Sequence, residues 1–313
     1  MDRDEWELLA CRRVLNILRR EDRLYASQRQ LEAKICDAGP AHMRPDPHIL
    51  TDALNRLCRA RKLEVEHQEG LGYFYYIRTY FDPSNPHHQQ RKLLVLTLHE
   101  KFRKLNTKKY CGDALETVVW TAIDNAGNLT PFGSQRKPVD SFGRIQLSGS
   151  LDFILITQNP LGYLVAGEAK NIRPWIYPGS PELREFILKV LQLSKTNHPI
   201  VPVFIARKIH YSTFLLFSYL GILGYQTHRQ YFMPDVASEL EEIKHKDGLG
   251  YHDITTDLTP PVSLENFFKS TLPRRAEAVA ERFQKNRELL EAVLSKKFDL
   301  SDLLQLSDDD LTA

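Results

Sequence analysis

The sequence predicts an α/β protein: a mixed sheet flanked by helices, with a smaller module of helices and a hairpin ahead of it and a helical segment behind. Three observations predict it. Two apolar runs, 146–157 (QLSGSLDFILIT) and 163–171 (YLVAGEAKN), are joined by Gln158-Asn159-Pro160-Leu161-Gly162, and such turn-rich junctions between apolar runs read as β-hairpins. A third run, 200–209 (IVPVFIARKI), is continuously apolar, as a strand buried on both faces is. Around these runs lie segments whose apolar residues recur at helical spacing.

The first eighty residues read as a module of their own. Residues 5–20 (EWELLACRRVLNILRR) place Trp6, Leu9, Val14, Ile17 and Leu18 at helical spacing, 27–36 (SQRQLEAKIC) is a short second helix, and 47–60 (PHILTDALNRLCRA) is a third with Leu50, Leu54 and Leu57 turned inward. Residues 62–67 (KLEVEH) and 71–77 (LGYFYYI), joined through Gln68-Glu69-Gly70, form a second hairpin. Asp82-Pro83-Ser84-Asn85-Pro86 interrupts any continuing element and marks a boundary. Behind it, 89–105 (QQRKLLVLTLHEKFRKL) reads as a connecting helix.

The larger part follows. Residues 112–122 read as a helix with Leu115, Val118, Val119 and Ala122 facing a core. The hairpin comes next, then 181–194 (PELREFILKVLQLS), an amphipathic helix opened by Ser180 as N-cap and Pro181 as first residue. Beyond the strand at 200–209, residues 263–306 read as two or three helices.

The chemistry lies on the first hairpin. If its turn is centred on Pro160, Asp152 and Glu168 stand directly opposite, with Cβ atoms roughly 5 Å apart. Lys170 shares their face, because strand side chains alternate with period two. Two carboxylates so close repel unless a cation lies between them, and a hard divalent ion with oxygen ligands is the usual answer. Mg²⁺ fits, with Mn²⁺ as a substitute: it needs one or two carboxylates plus substrate phosphate, activates a water and shields phosphate charge. Lys170 then orients or deprotonates that water, or stabilises the transition state. The triplet Glu-x-Lys means little by itself, since it also occurs at Glu32-Ala33-Lys34 and Glu242-Ile243-Lys244 in polar, helix-like surroundings. Glu168-Ala169-Lys170 differs in ending an apolar strand, and inward charges on a buried strand rarely lack a partner or an ion.

These residues and the order of elements around them resemble the PD-(D/E)xK nucleases, the restriction-endonuclease-like superfamily. The resemblance covers roughly residues 107–233, with Ser150-Leu151-Asp152 where the family's Pro-Asp stands. It implies a Mg²⁺-dependent DNA endonuclease in which Asp152, Glu168 and Glu116 hold metal and Lys170 assists the attacking water. Asp113, on the same helical face as Glu116, is an alternative acid, and Gln192 matches a region where some members carry a functional glutamine. Arg173, Trp175 and Tyr177, in the loop after the catalytic strand, would contact phosphate or stack on a base, or else cap the core.

Three helices followed by a hairpin resemble a winged helix, whose third helix would offer Asn55, Arg56 and Arg59 to double-stranded DNA, with His48 and Thr51 beside them. A protein-docking role is the alternative for this module. The expected division is therefore 1–80 winged-helix-like, 81–106 linker and connecting helix, 107–235 nuclease core and 236–313 helical segment. Restriction or defence against foreign DNA suits this architecture, and so does repair. The rival readings are a non-catalytic DNA-binding or regulatory protein on a nuclease scaffold and an RNA-directed nuclease. Two-strand cleavage would favour a homodimer.

The bulk properties set limits. The chain has 313 residues, 42% of them hydrophobic, and a formal net charge of +2, so no global basic field announces nucleic acid and binding must come from local patches. No apolar run approaches a membrane span, the first residues lack a secretory signal's apolar stretch, and a cytoplasmic location without membrane partners is expected. The four cysteines, Cys11, Cys36, Cys58 and Cys111, have neither disulfide nor zinc-site spacing. His87-His88, in the linker, is read as solvated. Ser307-Asp308-Asp309-Asp310 is read as a solvated acidic end.

Overall fold

In the computed structural model of the chain, residues 2–20, 23–38, 43–132, 138–158, 162–196, 198–295 and 300 are described. The turn residues 159–161, the helical reading over 301–306 and the acidic run 307–310 lie outside them. The chain divides into two compact units, Met1–Thr107 with Pro234–Ile254, and Lys108–Met233 with Thr255–Ala313.

The first unit begins with α1 (Arg3–Leu18), where Asp2 and Glu5 form a reciprocal capping box and Ala10, Cys11, Val14 and Leu18 are buried. A three-residue strand, β1 (Tyr25–Ser27), runs directly into α2 (Gln28–Ile35), whose own capping box joins Ser27 to Gln30. α3 (Pro47–Arg59) carries proline in its first turn and buries Ile49, Leu50, Ala53, Leu54 and Leu57. The hairpin of β2 (Glu64–Gln68) and β3 (Gly72–Tyr76) follows, and β1 pairs with β3 to give the order β1-β3-β2, all antiparallel. The hairpin follows from the sequence, whereas β1 is too short to show alternation. α4 (Pro86–Leu105) is capped by the Asn85 side chain, and its Val95 joins Leu24, Tyr25, Phe74 and Phe81 in a core. His87 and His88 therefore sit in the first turn of a helix. The ring of His88 accepts a hydrogen bond from the Asp82 amide at 2.9 Å, and His87 is exposed.

The second unit opens with a π-helical turn, Lys108–Gly112, that leads into α5 (Asp113–Ala126), ended by Gly127 at φ 68°. Its strands are β4 (Leu129–Pro131), β5 (Val139–Phe142), β6 (Ile145–Leu151), β7 (Phe153–Thr157) and β8 (Leu164–Lys170). Then come α6 (Pro181–Leu193), β9 (Ile200–Ala206), α7 (Tyr211–Leu220) and β10 (Leu223–Gln226). The main sheet has the order β10-β9-β8-β7-β4. β8 runs parallel to β9, as β9 does to β10, whereas β7 is antiparallel to both β8 and β4. The sheet is therefore mixed.

Strand alternation assigns its two faces. Ile154, Leu164, Ala166 and Phe204 pack with α6 and α7 through Phe186, Ile187, Val190 and Phe217. Phe153, Leu155, Val165, Val203 and Ile205 pack with α5 through Leu115, Val118 and Val119. At Gly167, opposite Phe153, a Cβ would lie 1.9 Å from the phenyl ring, so the ring occupies the space a side chain would need.

The apolar run 146–157 predicts one strand. The structure breaks it at Asp152: β6 pairs with β5 in a separate ribbon, and β7 alone belongs to the main sheet. α7 and β10 were not anticipated.

After the second unit's sheet the chain returns to the first, where α8 (Ala237–Lys244) packs on α4 with a Lys101–Glu242 ion pair at 3.2 Å. It then re-enters the second unit for α9 (Val262–Asn266), a π-helical turn at Phe267–Thr271, and α10 (Leu272–Ser295). Among the described residues, no helix is long and apolar enough to cross a membrane.

Candidate active site

The register of β7 and β8 is Phe153↔Gly167, Ile154↔Ala166, Leu155↔Val165 and Ile156↔Leu164. Extended by one pair, it sets Asp152 against Glu168, the symmetry a turn about position 160 requires. Asp152 stands at the bend where the chain leaves β6 for β7. Its amide donates to the Gly167 carbonyl at 3.1 Å, and its Oδ2 accepts from the Ala169 amide at 2.6 Å. The bend thus clamps the carboxylate beside the end of β8.

Glu168 is 2% exposed. Its Oε1 receives the ammonium of Lys170 at 2.5 Å, and its Oε2 is paired with Lys189. Lys189 comes from α6, is itself 5% exposed, and also donates to the Ser150 carbonyl at 2.7 Å. Glu168 is therefore a buried carboxylate with an ammonium on each oxygen.

Electrostatics couple these groups. Burial, with the negative charges of Glu168 and Glu116, pushes the Asp152 carboxyl up to about 7 against the opposing Ala169 hydrogen bond and Lys170 charge. Burial alone would pull Lys170 down. The charge and hydrogen bond of Glu168, with Asp152 and Glu185, outweigh it and hold Lys170 above its ordinary value. Lys170 is thus an ammonium ion at neutral pH.

Glu116, half-buried on α5, belongs to this constellation through its charge on Asp152. Asp113, one turn earlier, is exposed, and its carbonyl accepts from the Thr117 hydroxyl at 2.8 Å. Gln192 on α6 accepts from the Ser148 amide through Oε1 at 2.7 Å, which ties that helix to β6. Arg173 is buried, with its guanidinium facing Gln230 at 3.5 Å. A phosphate contact from an exposed loop does not describe that position. In the same loop, Tyr177 stacks on His210 with centroids 4.6 Å apart, and the Lys208 ammonium lies 5.6 Å from the Trp175 ring centroid. Asn55, Arg56 and Arg59 lie on the exposed face of α3 in the first unit, where Arg56 pairs with Glu7 at 3.1 Å.

Two residues outside the sequence reading complete the picture. Asn171, buried just past β8, donates through its amide nitrogen to the carbonyls of Cys111 and Tyr231 at 2.6 Å each, and its Oδ1 accepts from the Tyr231 amide at 3.0 Å. It anchors the end of β8 to the turn that opens α5. Lys189 is the other. A signal for it did exist: it interrupts the inward stripe Phe186, Ile187, Val190, Leu193, and a lysine there requires a partner.

Asp152, Glu168 and Glu116 offer carboxylate oxygens only, the ligand type of a hard divalent cation, although the three do not bring one oxygen each within 4.8 Å of one another. Comparison of the chain with models of protein families, with curated proteins and with solved structures gives no match.

Proposed function

We propose that this chain is a Mg²⁺-dependent DNA endonuclease of the restriction-endonuclease-like kind. The observation that carries the reading is the meeting of Asp152, Glu168 and Lys170 at the bend between β6 and β7. The mixed sheet with helices on both faces supports the same fold. In this reading Asp152, Glu168 and Glu116 hold the metal. Mg²⁺ bound there would supply water activation and shielding of phosphate charge. Lys170, kept protonated by Glu168, serves as a hydrogen-bond donor that stabilises charge on the phosphate, and not as a general base. The bend fixes Asp152 through the Ala169 amide. In the first unit, the packing of α1, α2 and α3 ahead of the β2–β3 hairpin supports a winged helix that delivers duplex DNA through Asn55 and Arg59.

The test is incubation of the purified chain with duplex, nicked, branched and single-stranded DNA and matched RNA, with Mg²⁺ or Mn²⁺. Cleavage of DNA should require metal and fall about 100-fold or more in Lys170→Ala. No cleavage of any substrate, or undiminished cleavage by that variant, would sink the proposal, and preferential cleavage of RNA would redirect it. One observation favours a second reading, a DNA-binding or regulatory protein on the same scaffold: both oxygens of Glu168 are already paired with ammonium groups. That protein would neither cleave DNA nor take up Mn²⁺ through Asp152.

A further inference from the structure

We propose that Lys189 is a resident cation that reserves one oxygen of Glu168 and so limits the acidic cluster to a single divalent ion; this step rests on the metal-dependent reading of the site.

The two lysines on Glu168 are not equivalent. The Lys170 side chain is 25% exposed and makes its ion pair from the solvent side of the strand end. That of Lys189 is 7% exposed and is held by a second hydrogen bond, to the Ser150 carbonyl at 2.7 Å. A cation arriving from solvent can replace Lys170 on Oε1, freeing that ammonium for the substrate. It cannot replace Lys189 on Oε2 without stranding a buried charge and breaking a contact with β6.

Lys189 breaks the inward apolar stripe of α6 to place an ammonium on Glu168. What Lys189 adds is occupancy: with Oε2 held from the buried side, Oε1 is the oxygen of Glu168 that a cation from solvent can take. A second ion would need further carboxylate oxygen from this cluster, and Glu168 has one oxygen fewer to give.

Mn²⁺ titrated into the full-length chain, followed by calorimetry and by electron paramagnetic resonance of the free ion, counts the bound ions. The wild type should take up one ion that Asp152→Asn removes. Lys189→Met keeps the packing of the stem without the charge, and should admit a second ion. Lys189→Arg should keep the count at one. Two Asp152-dependent ions in the wild type, or a folded Lys189→Met variant that still takes up only one, would overturn the proposal. If Lys189→Met does not fold, Lys189→Gln, which removes the charge and keeps a donor for the Ser150 carbonyl, is read by the same count. Absence of any Asp152-dependent Mn²⁺ uptake removes the underlying metal reading as well, and differs visibly from a bound ion indifferent to Lys189.

Discussion

A proton on Asp152 makes the crowding of the site measurable. The carboxyl titrates at about 7 in the folded chain and at about 3.9 when unfolded, so the folded state binds that proton more tightly. Between those two values the unfolded chain ionises freely and the folded chain does not, and stability falls as pH rises through the window before levelling above it. Asp152→Asn keeps an acceptor for the Ala169 amide and removes the ionisation. Urea unfolding should show the variant more stable than the wild type by roughly 2–4 kcal/mol near pH 8, with little difference near pH 4. An advantage that does not grow with pH across this range would mean that Asp152 titrates normally. The residue scale was also where sequence reading reached furthest and then stopped. The pairing of Asp152 with Glu168 was legible because a hairpin's symmetry is local. Lys189 was not read, since its partner lies 21 residues away in sequence and no hairpin joins them.

At the scale of elements, the end of β8 is held by wiring more than by packing. Asn171 links it to the turn before α5 and to Tyr231, and all three groups are buried. Asn171→Ala would leave the Cys111 and Tyr231 carbonyls without this donor, at about 1–3 kcal/mol for each buried group left unsatisfied. Thermal and urea unfolding should register the loss, and Asn171→Asp should not restore it, because a carboxylate cannot donate to a carbonyl. Full retention of stability in the alanine variant would show that the links are dispensable. Helices with inward stripes, such as α3 and α6, are legible in the sequence, although Ser180, at the N-cap position of α6, turns its hydroxyl to the Tyr177 amide at 2.8 Å and does not cap the helix through its side chain. The break at Asp152 is not legible, because the apolar run 146–157 is uninterrupted and only partners elsewhere decide which sheet each half joins. β1 was hidden by its length, and α7 with β10 by an apolar stretch, 211–226, without clean periodicity.

For the whole molecule, the consequential fact is that neither unit is a continuous piece of chain. The first is completed by Pro234–Ile254, where α8 pairs with α4 and Tyr251 meets Phe102 with ring centroids 5.2 Å apart. A fragment ending at Thr107 would leave Phe102 and its neighbours on α4 uncovered. It should unfold at a lower temperature and bind a hydrophobic dye, and adding residues 234–254 through a flexible linker should reverse both effects. Equal melting temperatures for the two fragments would show that the return segment contributes nothing.

The same interleaving bears on how the chain matures during synthesis. The segment that closes the first unit leaves the ribosome only after the strands of the second have been made. At about 5–20 residues per second, helix α4 waits on the order of ten seconds for α8. During that interval its apolar side is open to chaperones, to premature pairing and to neighbouring nascent chains, so a slowly translated message would expose this chain to misfolding at its first unit, before any failure in the sheet.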